Sequence, residues 1–171
     1  IYEDGEILVI NKKHKLAVHG GSRVSIGLIE IVRNFGKDYR DAQLVHRLDK
    51  ATSGCIIVAK NKQSTRLYNS FIRSNQIIKK YHCLIHGSWP EKLDNIRLPL
   101  KVQKNKNLKK TIVSEDGKYS STNFKLVKSN QYCSLLECSL ETGRTHQIRV
   151  HTSASGFPIV GDLKYSSKTL N

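Results

Sequence analysis

The stretch "HRLDKATSGCIIVAK" (46–60) sets the problem. Its second half, from Gly54, is an apolar run closed by a lysine, which predicts a buried central strand. Its first half crowds His46, Arg47, Asp49 and Lys50 into five positions. Thr52-Ser53-Gly54 then predicts a sharp turn, with hydroxyls available to satisfy backbone groups. A single carboxylate is thus placed among cations at a strand end. The residues alone leave it three roles: nucleophile, metal ligand, or turn residue in a salt bridge.

Working outward, "EILVI" (6–10) after the turn signal "EDG" reads as a buried strand. "VSIGLIEIVRNFG" (24–36) has apolar residues at helical spacing, with Gly36 as the expected C-cap. "NKQSTRLYNSFIRSN" (61–75) predicts a helix with Leu67, Tyr68, Phe71 and Ile72 on one face. Strands follow at "IIKKYHCLIHG" (77–87), "YSSTNFKLVKS" (119–129) and "YCSLLECSLETG" (132–143). In the last, the apolar phase slips between Leu135 and Leu136, which predicts a bulge or a strong twist. "RTHQIRVHTSASG" (144–156) predicts a helix. "RLPLKVQKNKNLKKTIV" (97–113) carries Lys101, Lys104, Lys106, Lys109 and Lys110 and reads as a loop or hairpin arm, in contact with phosphates or simply solvated. Strands joined by short turns, with isolated helices, argue for an α+β fold. Its central sheet is expected to be mixed and largely antiparallel, with flanking helices, in one domain spanning 1–171.

Composition narrows the function. Against 14 acidic residues stand 29 Lys and Arg, a formal charge of +15. Such a charge predicts salt-sensitive attraction to a polyanion, and nucleic acid is the obvious one. Cys55, Cys83, Cys133 and Cys138 form no C-x-x-C pair. They read as free thiols in a reducing compartment, with Cys55 and Cys83 buried in strands, and no metal site is expected. No apolar run approaches the roughly 18 residues of a membrane span. The chain opens in mid-pattern at "IYEDGEILVINK", without Met, so an excised domain or the ordered part of a longer protein is expected.

Three stretches combine unusual polar density with element ends: "HRLDKATSG" (46–54), "KKYHCLIHG" (79–87) and "ETGRTHQIRVH" (141–151). With "GFPIVGDLKY" (156–165), the opening "YEDGEILVINK" and "AVHGG", they resemble the RluA family of pseudouridine synthases, in order and spacing. The resemblance runs from Ile1 to Tyr165 and looks closest to the RluC branch, which modifies uridines of large-subunit (23S-type) ribosomal RNA. Two departures stand out: Lys13 occupies a position where the family often has Pro, and the N-terminal S4-type RNA-binding domain of many members is absent from this chain.

The resemblance implies a cytoplasmic, cofactor-free enzyme that works on ribosomal RNA, here expected as a monomer. Isomerising uridine to pseudouridine breaks the N1–C1′ bond, rotates the base and rejoins it through C5. It needs neither redox change nor water, so one positioned carboxylate can suffice. The resemblance assigns that role to Asp49, either as nucleophile at C1′ or as base at C2′. Arg149 aligns with the family arginine that pairs with the catalytic carboxylate, and its planar fork suits a carboxylate. Arg144, at the start of the same predicted helix, is the alternative partner. Tyr81 offers a ring for a flipped base, and Ile148 an apolar partner for the other face. Arg47 and Asp49 would project the same way from an extended segment, so Arg47 is a candidate RNA contact, with His46 beside it. An acid–base role for His46, His146 or His151 competes with the commoner buried histidine bound to backbone groups.

Two other classes remain open. A basic RNA-binding protein without catalysis gains nothing from a carboxylate facing phosphate. A metal-dependent nuclease usually needs several carboxylates around Mg²⁺, and near the motif only Asp49 is at hand, with Asp41 upstream.

Overall fold

The computed structural model describes residues 1–21, 26–105 and 108–166, and the chain divides into two compact units, 1–77 and 78–171. Val24 and Ser25 of the first predicted helix, and Lys106 of the lysine-rich arm, lie outside the described residues.

The first unit holds β1 (Tyr2–Glu3), β2 (Ile7–Lys12), α1 (Leu28–Arg33), β3 (Gln43–Leu44), β4 (Gly54–Ala59) and α2 (Lys62–Arg73). Its four strands pair antiparallel in the order β1-β2-β4-β3, so the apolar run after the Asp49 loop is an interior strand, as predicted. The turn before β2 is closed by Asp4, whose Oδ1 accepts from the amides of Glu6 and Ile7. Helix α1 is shorter than its apolar spacing suggests. Gly27 caps it, and Glu30 reaches back to accept the Gly27 amide at 2.8 Å. A side chain at Gly27 would meet the His19 backbone at 2.5 Å, so only glycine fits there. The helix closes at Arg33 with Asn34 as its C-cap, ahead of the expected Gly36.

Helix α2 departs from its predicted face. Ser64 and Thr65 are buried, whereas Leu67 is 40% exposed. Asn61 explains this. Its Oδ1 accepts the Ser64 amide and hydroxyl, and the Thr65 hydroxyl donates back to the Asn61 carbonyl. The hydroxyls are satisfied locally, so small polar residues can line the inner face.

The second unit holds β5 (Lys80–His86), β6 (Asn95–Arg97), β7 (Leu100–Asn105), β8 (Leu108–Val113), β9 (Ser121–Ser129), β10 (Cys133–Leu140) and α3 (Gln147–Ala154). Four strands pair antiparallel in the order β5-β10-β9-β6, while β7 and β8 form a separate hairpin from the lysine-rich arm. The predicted bulge is present: the β9–β10 register shifts between Leu135 and Leu136. The inner face of this sheet supplies Ile85, Ile96, Phe124, Leu136 and Cys138 to a core completed by Trp89. Trp89 packs against Phe124 and Phe157, and its indole N–H donates to the Leu93 carbonyl. Residues 158–160 pair with the outer edge of β5 through the Ile85–Ile159 bridge. The α+β class thus stands, with antiparallel pairing throughout the described strands.

All four cysteines are free, but their burial differs from expectation. Cys138 is buried, Cys83 and Cys133 are half-buried, and Cys55 is exposed. Strand alternation accounts for Cys55: its neighbour Ile56 takes the buried side of β4.

His151 on α3 is fully buried. Its Nε2 lies 2.8 Å from the Ser120 hydroxyl, and that hydroxyl donates to the Leu98 carbonyl. The ring N–H on Nε2 therefore donates to Ser120, and Nδ1 faces the interior without a hydrogen-bond partner. Burial pushes the imidazole down to about 4 from its ordinary value near 6.5. A ring held neutral in the fold stabilises it fully above pH 6.5. That contribution is lost as the pH falls toward 4, at a limiting slope of about 1.4 kcal/mol for each pH unit. Urea denaturation between pH 7 and 4 is expected to show a steep fall in stability. In His151→Asn that slope should flatten, from a lower starting stability; an unchanged slope would remove His151 as the cause.

Candidate active site

The Asp49 loop belongs to the first unit. It leaves β3 at Leu44; beyond that Val45 and Leu48 are buried, Arg47 is exposed and Asp49 is half-buried. His46 has a structural task. Strand β3 ends after pairing Leu44 with Val58, so the next β4 amide lacks a strand partner. The His46 Nε2 accepts that amide, from Ile57, at 2.9 Å.

Beyond Asp49 the loop is fixed through its backbone. The Thr52 amide donates to the Asp49 carbonyl at 3.0 Å, closing the turn. The His14 Nδ1 donates to the Ala51 carbonyl at 2.7 Å. Lys12, at the end of β2, is fully buried, and its ammonium donates to the carbonyls of Lys13, Leu16 and Lys50. Three protons meet three carbonyls, one of them next to Asp49. Burial lowers the Lys12 ammonium below its ordinary range, and the Asp49 charge acts in the opposite sense. Sequence reading missed Lys12, because a lysine at a strand end ordinarily reaches water.

The second unit carries the other candidates. Tyr81 lies on β5 opposite Cys138 of β10, half-buried, and packs against the core cluster around Ile85 and Trp89. Ile148 packs against the same cluster from α3. Arg144 and Arg149 have different surroundings. The exposed Arg144 donates through Nε to the Tyr119 carbonyl at 3.0 Å. Arg149 makes a bidentate fork onto Asp162, with Nε and Nη2 at 2.7 and 2.8 Å from the two carboxylate oxygens. Burial alone would raise the Asp162 carboxyl. The Arg149 bonds and charge, with the amides of Lys164 and Tyr165, overcome this and hold it below the ordinary carboxylate range.

The start of α3 also differs from its predicted bounds. It begins at Gln147, because the preceding residues fold into a turn around the Gln147 side chain. Its Oε1 accepts from the Arg144 amide and the Thr142 hydroxyl; its Nε2 donates to the Ser121 carbonyl and Thr122 hydroxyl. His146, in left-handed conformation at φ 56°, completes the reversal. A buried glutamine with every bond satisfied fixes where the helix presents Ile148 and Arg149. Among the described residues, no group of three or more His, Cys, Asp or Glu is gathered for a metal ion, and no helix is long and apolar enough to cross a membrane.

Comparison with known proteins gives this arrangement its context. The RNA pseudouridylate synthase family model matches residues 6–154. The chain belongs to that family. Curated relatives agree: it is 41% identical over 169 residues to the ribosomal large subunit pseudouridine synthase C of Pasteurella multocida and 40% identical over 169 residues to that of Escherichia coli. These alignments cover 98% of this chain but 52% and 53% of the relatives, so the chain spans about half their length. Among solved structures, human RNA pseudouridylate synthase domain containing 4 matches with a TM-score of 0.79 at 25% identity, over 99% of this chain and 69% of that one. Human RNA pseudouridylate synthase domain containing 1 gives a TM-score of 0.77 at 26% identity, again over 99% and 69%. The family read from the motifs is borne out.

Proposed function

We propose that this chain is the catalytic portion of a pseudouridine synthase acting on large-subunit ribosomal RNA, with Asp49 as its reacting carboxylate. The observation that carries the reading is the Asp49 loop itself. The hydrogen bonds from Thr52, Lys12 and His14 hold the carbonyls of Asp49, Lys50 and Ala51 in turn, so these restraints fix the loop through its main chain rather than through the carboxylate. The family membership and the names of the relatives support the substrate class.

In this reading the uridine is flipped out of the RNA and its ring lies on Tyr81, with Ile148 as an apolar contact. Asp49 attacks C1′ as the N1–C1′ bond breaks, giving an ester that C5 later displaces, or it takes a proton from C2′ as that bond breaks and returns it to C2′ when C5 adds. In either route the uracil turns and C5 bonds to C1′. C5 then loses its proton and N1 takes one up, which restores the ring. Arg149 supplies the guanidinium that the family resemblance assigns to the carboxylate, and Arg47 and Arg144 contact the RNA. The chemistry requires no metal or organic cofactor.

The test is RNA carrying [5-³H]uridine, incubated with the protein and a chelator. Tritium release with intact RNA supports the reading. Cleaved RNA without release would favour a nuclease, and binding without either would leave a non-catalytic RNA-binding protein.

The basic arm makes a separate prediction. Lys104 and Lys109 are exposed, whereas Lys101 is engaged with Asp116 and Lys110 lies over the Tyr165 ring. RNA affinity should fall steeply with salt, with a log–log slope of about −0.7 for each phosphate neutralised on a single strand. Lys104→Ala should make the slope shallower by about that amount, and Lys101→Ala by less. A slope untouched by Lys104→Ala would place the RNA elsewhere.

A further inference from the structure

The segment 161–166 holds Arg149 in two directions. Asp162 grips the guanidinium in its own plane, through Nε and Nη2. The Tyr165 ring lies against it, with the Arg149 Cζ over the ring at 4.9 Å from its centroid. An in-plane fork alone leaves the group free to tilt out of plane. A ring packed against the guanidinium limits that freedom.

The ring is itself anchored. The Tyr165 hydroxyl accepts the Thr111 amide of β8 at 3.0 Å and lies 2.7 Å from Nδ1 of His146. One hydroxyl can accept from an amide and donate to an imidazole nitrogen at once. The Tyr165 carbonyl accepts the Ser153 hydroxyl at 2.7 Å, and its amide donates to the Asp162 carbonyl. The side chain is thereby tied to the hairpin and to the turn preceding α3, and the backbone of Tyr165 to α3 itself. The Lys110 ammonium lies 5.3 Å from the same ring centroid, which brings the cationic arm to within one side chain of Arg149.

We propose that Tyr165 is a positioning residue for the reaction, which fixes the orientation of Arg149 with its ring while its hydroxyl fixes the ring against β8 and His146. This rests on the proposed part of Arg149 in the reaction. Tyr165 touches neither the uridine nor the RNA in this scheme; it acts through the guanidinium.

A double-mutant cycle tests it, with tritium release measured in single turnover and RNA affinity measured separately. Tyr165→Leu should lower the turnover rate about tenfold, with RNA affinity within about twofold of the parent. In the Arg149→Lys background, already slowed, the same change should cost less than about twofold, because the orientation it protects is gone. A structural defect alone would lower both backgrounds equally. Equal costs in the two backgrounds, or parental turnover in Tyr165→Leu, would overturn the proposal and leave the role of Arg149 standing. Parental turnover in Arg149→Lys would overturn both. If Tyr165→Leu fails to fold, Tyr165→Phe enters the same cycle. It keeps the ring but loses both hydroxyl bonds, and should cost about threefold in the parent and nothing measurable with Arg149→Lys.

Discussion

Asp49→Asn is expected to abolish tritium release while RNA binding stays within about twofold of the parent. The substitution keeps the volume and removes only the anionic oxygen. The loop should survive it, because the Thr52, His14 and Lys12 donors all address backbone carbonyls rather than the Asp49 side chain. One secondary effect follows. The buried Lys12 ammonium loses an opposing charge, and its pKa, already lowered by burial, should fall further. Phosphate contacts carry most of the affinity, so removing a carboxylate leaves binding intact or slightly tighter. Turnover should fall at least about a thousandfold, since in this scheme no other group supplies the nucleophile or base. Multiple-turnover release by an Asn variant shown by mass spectrometry to be free of deamidation would remove Asp49 from the chemistry.

The features legible in the sequence were those that obey a local period. The apolar run 54–59 became an interior strand, and the slip between Leu135 and Leu136 became a real register shift. Both follow from side chains choosing a face, which neighbouring residues record. Two of the features that were missed depend on partners distant in sequence. Lys12 is buried only because carbonyls from residues 13, 16 and 50 converge on it. Gln147 sets the start of α3 through residues of β9, more than twenty positions earlier. Leu67 obeyed the helical period but lost the buried face to Ser64 and Thr65, whose hydroxyls Asn61 and its turn satisfy. At the candidate site, the motif residues were visible because the family resemblance named them. Asp162, the carboxylate that Arg149 grips, lay in the quoted "GFPIVGDLKY", but its pairing could be read only from the fold.

Tyr81 should separate stacking from proton chemistry in two substitutions. Its position on β5 makes the comparison clean: the strand is paired with β10 on one side and with residues 158–160 on the other, so the backbone does not depend on the phenol. Tyr81→Phe keeps the ring and its packing against the core cluster and deletes only the hydroxyl. Binding of RNA should then stay within a few-fold of the parent. Turnover should fall sharply, with an intermediate persisting, if the hydroxyl moves the C5 proton or hydrogen-bonds to the reacting groups. Tyr81→Leu deletes the ring as well. Base–aromatic stacking is worth about 1–3 kcal/mol, so recognition of the flipped base should weaken by roughly 5- to 150-fold on top of the lost turnover. The measurement is tritium release alongside the affinity of an RNA carrying an unpaired uridine. Equal turnover for Tyr and Phe would leave Tyr81 a platform with no part in proton transfer. Equal turnover for all three would take it out of the site, and the flipped uracil would then need another surface, with Ile148 the neighbour already packed on the same cluster.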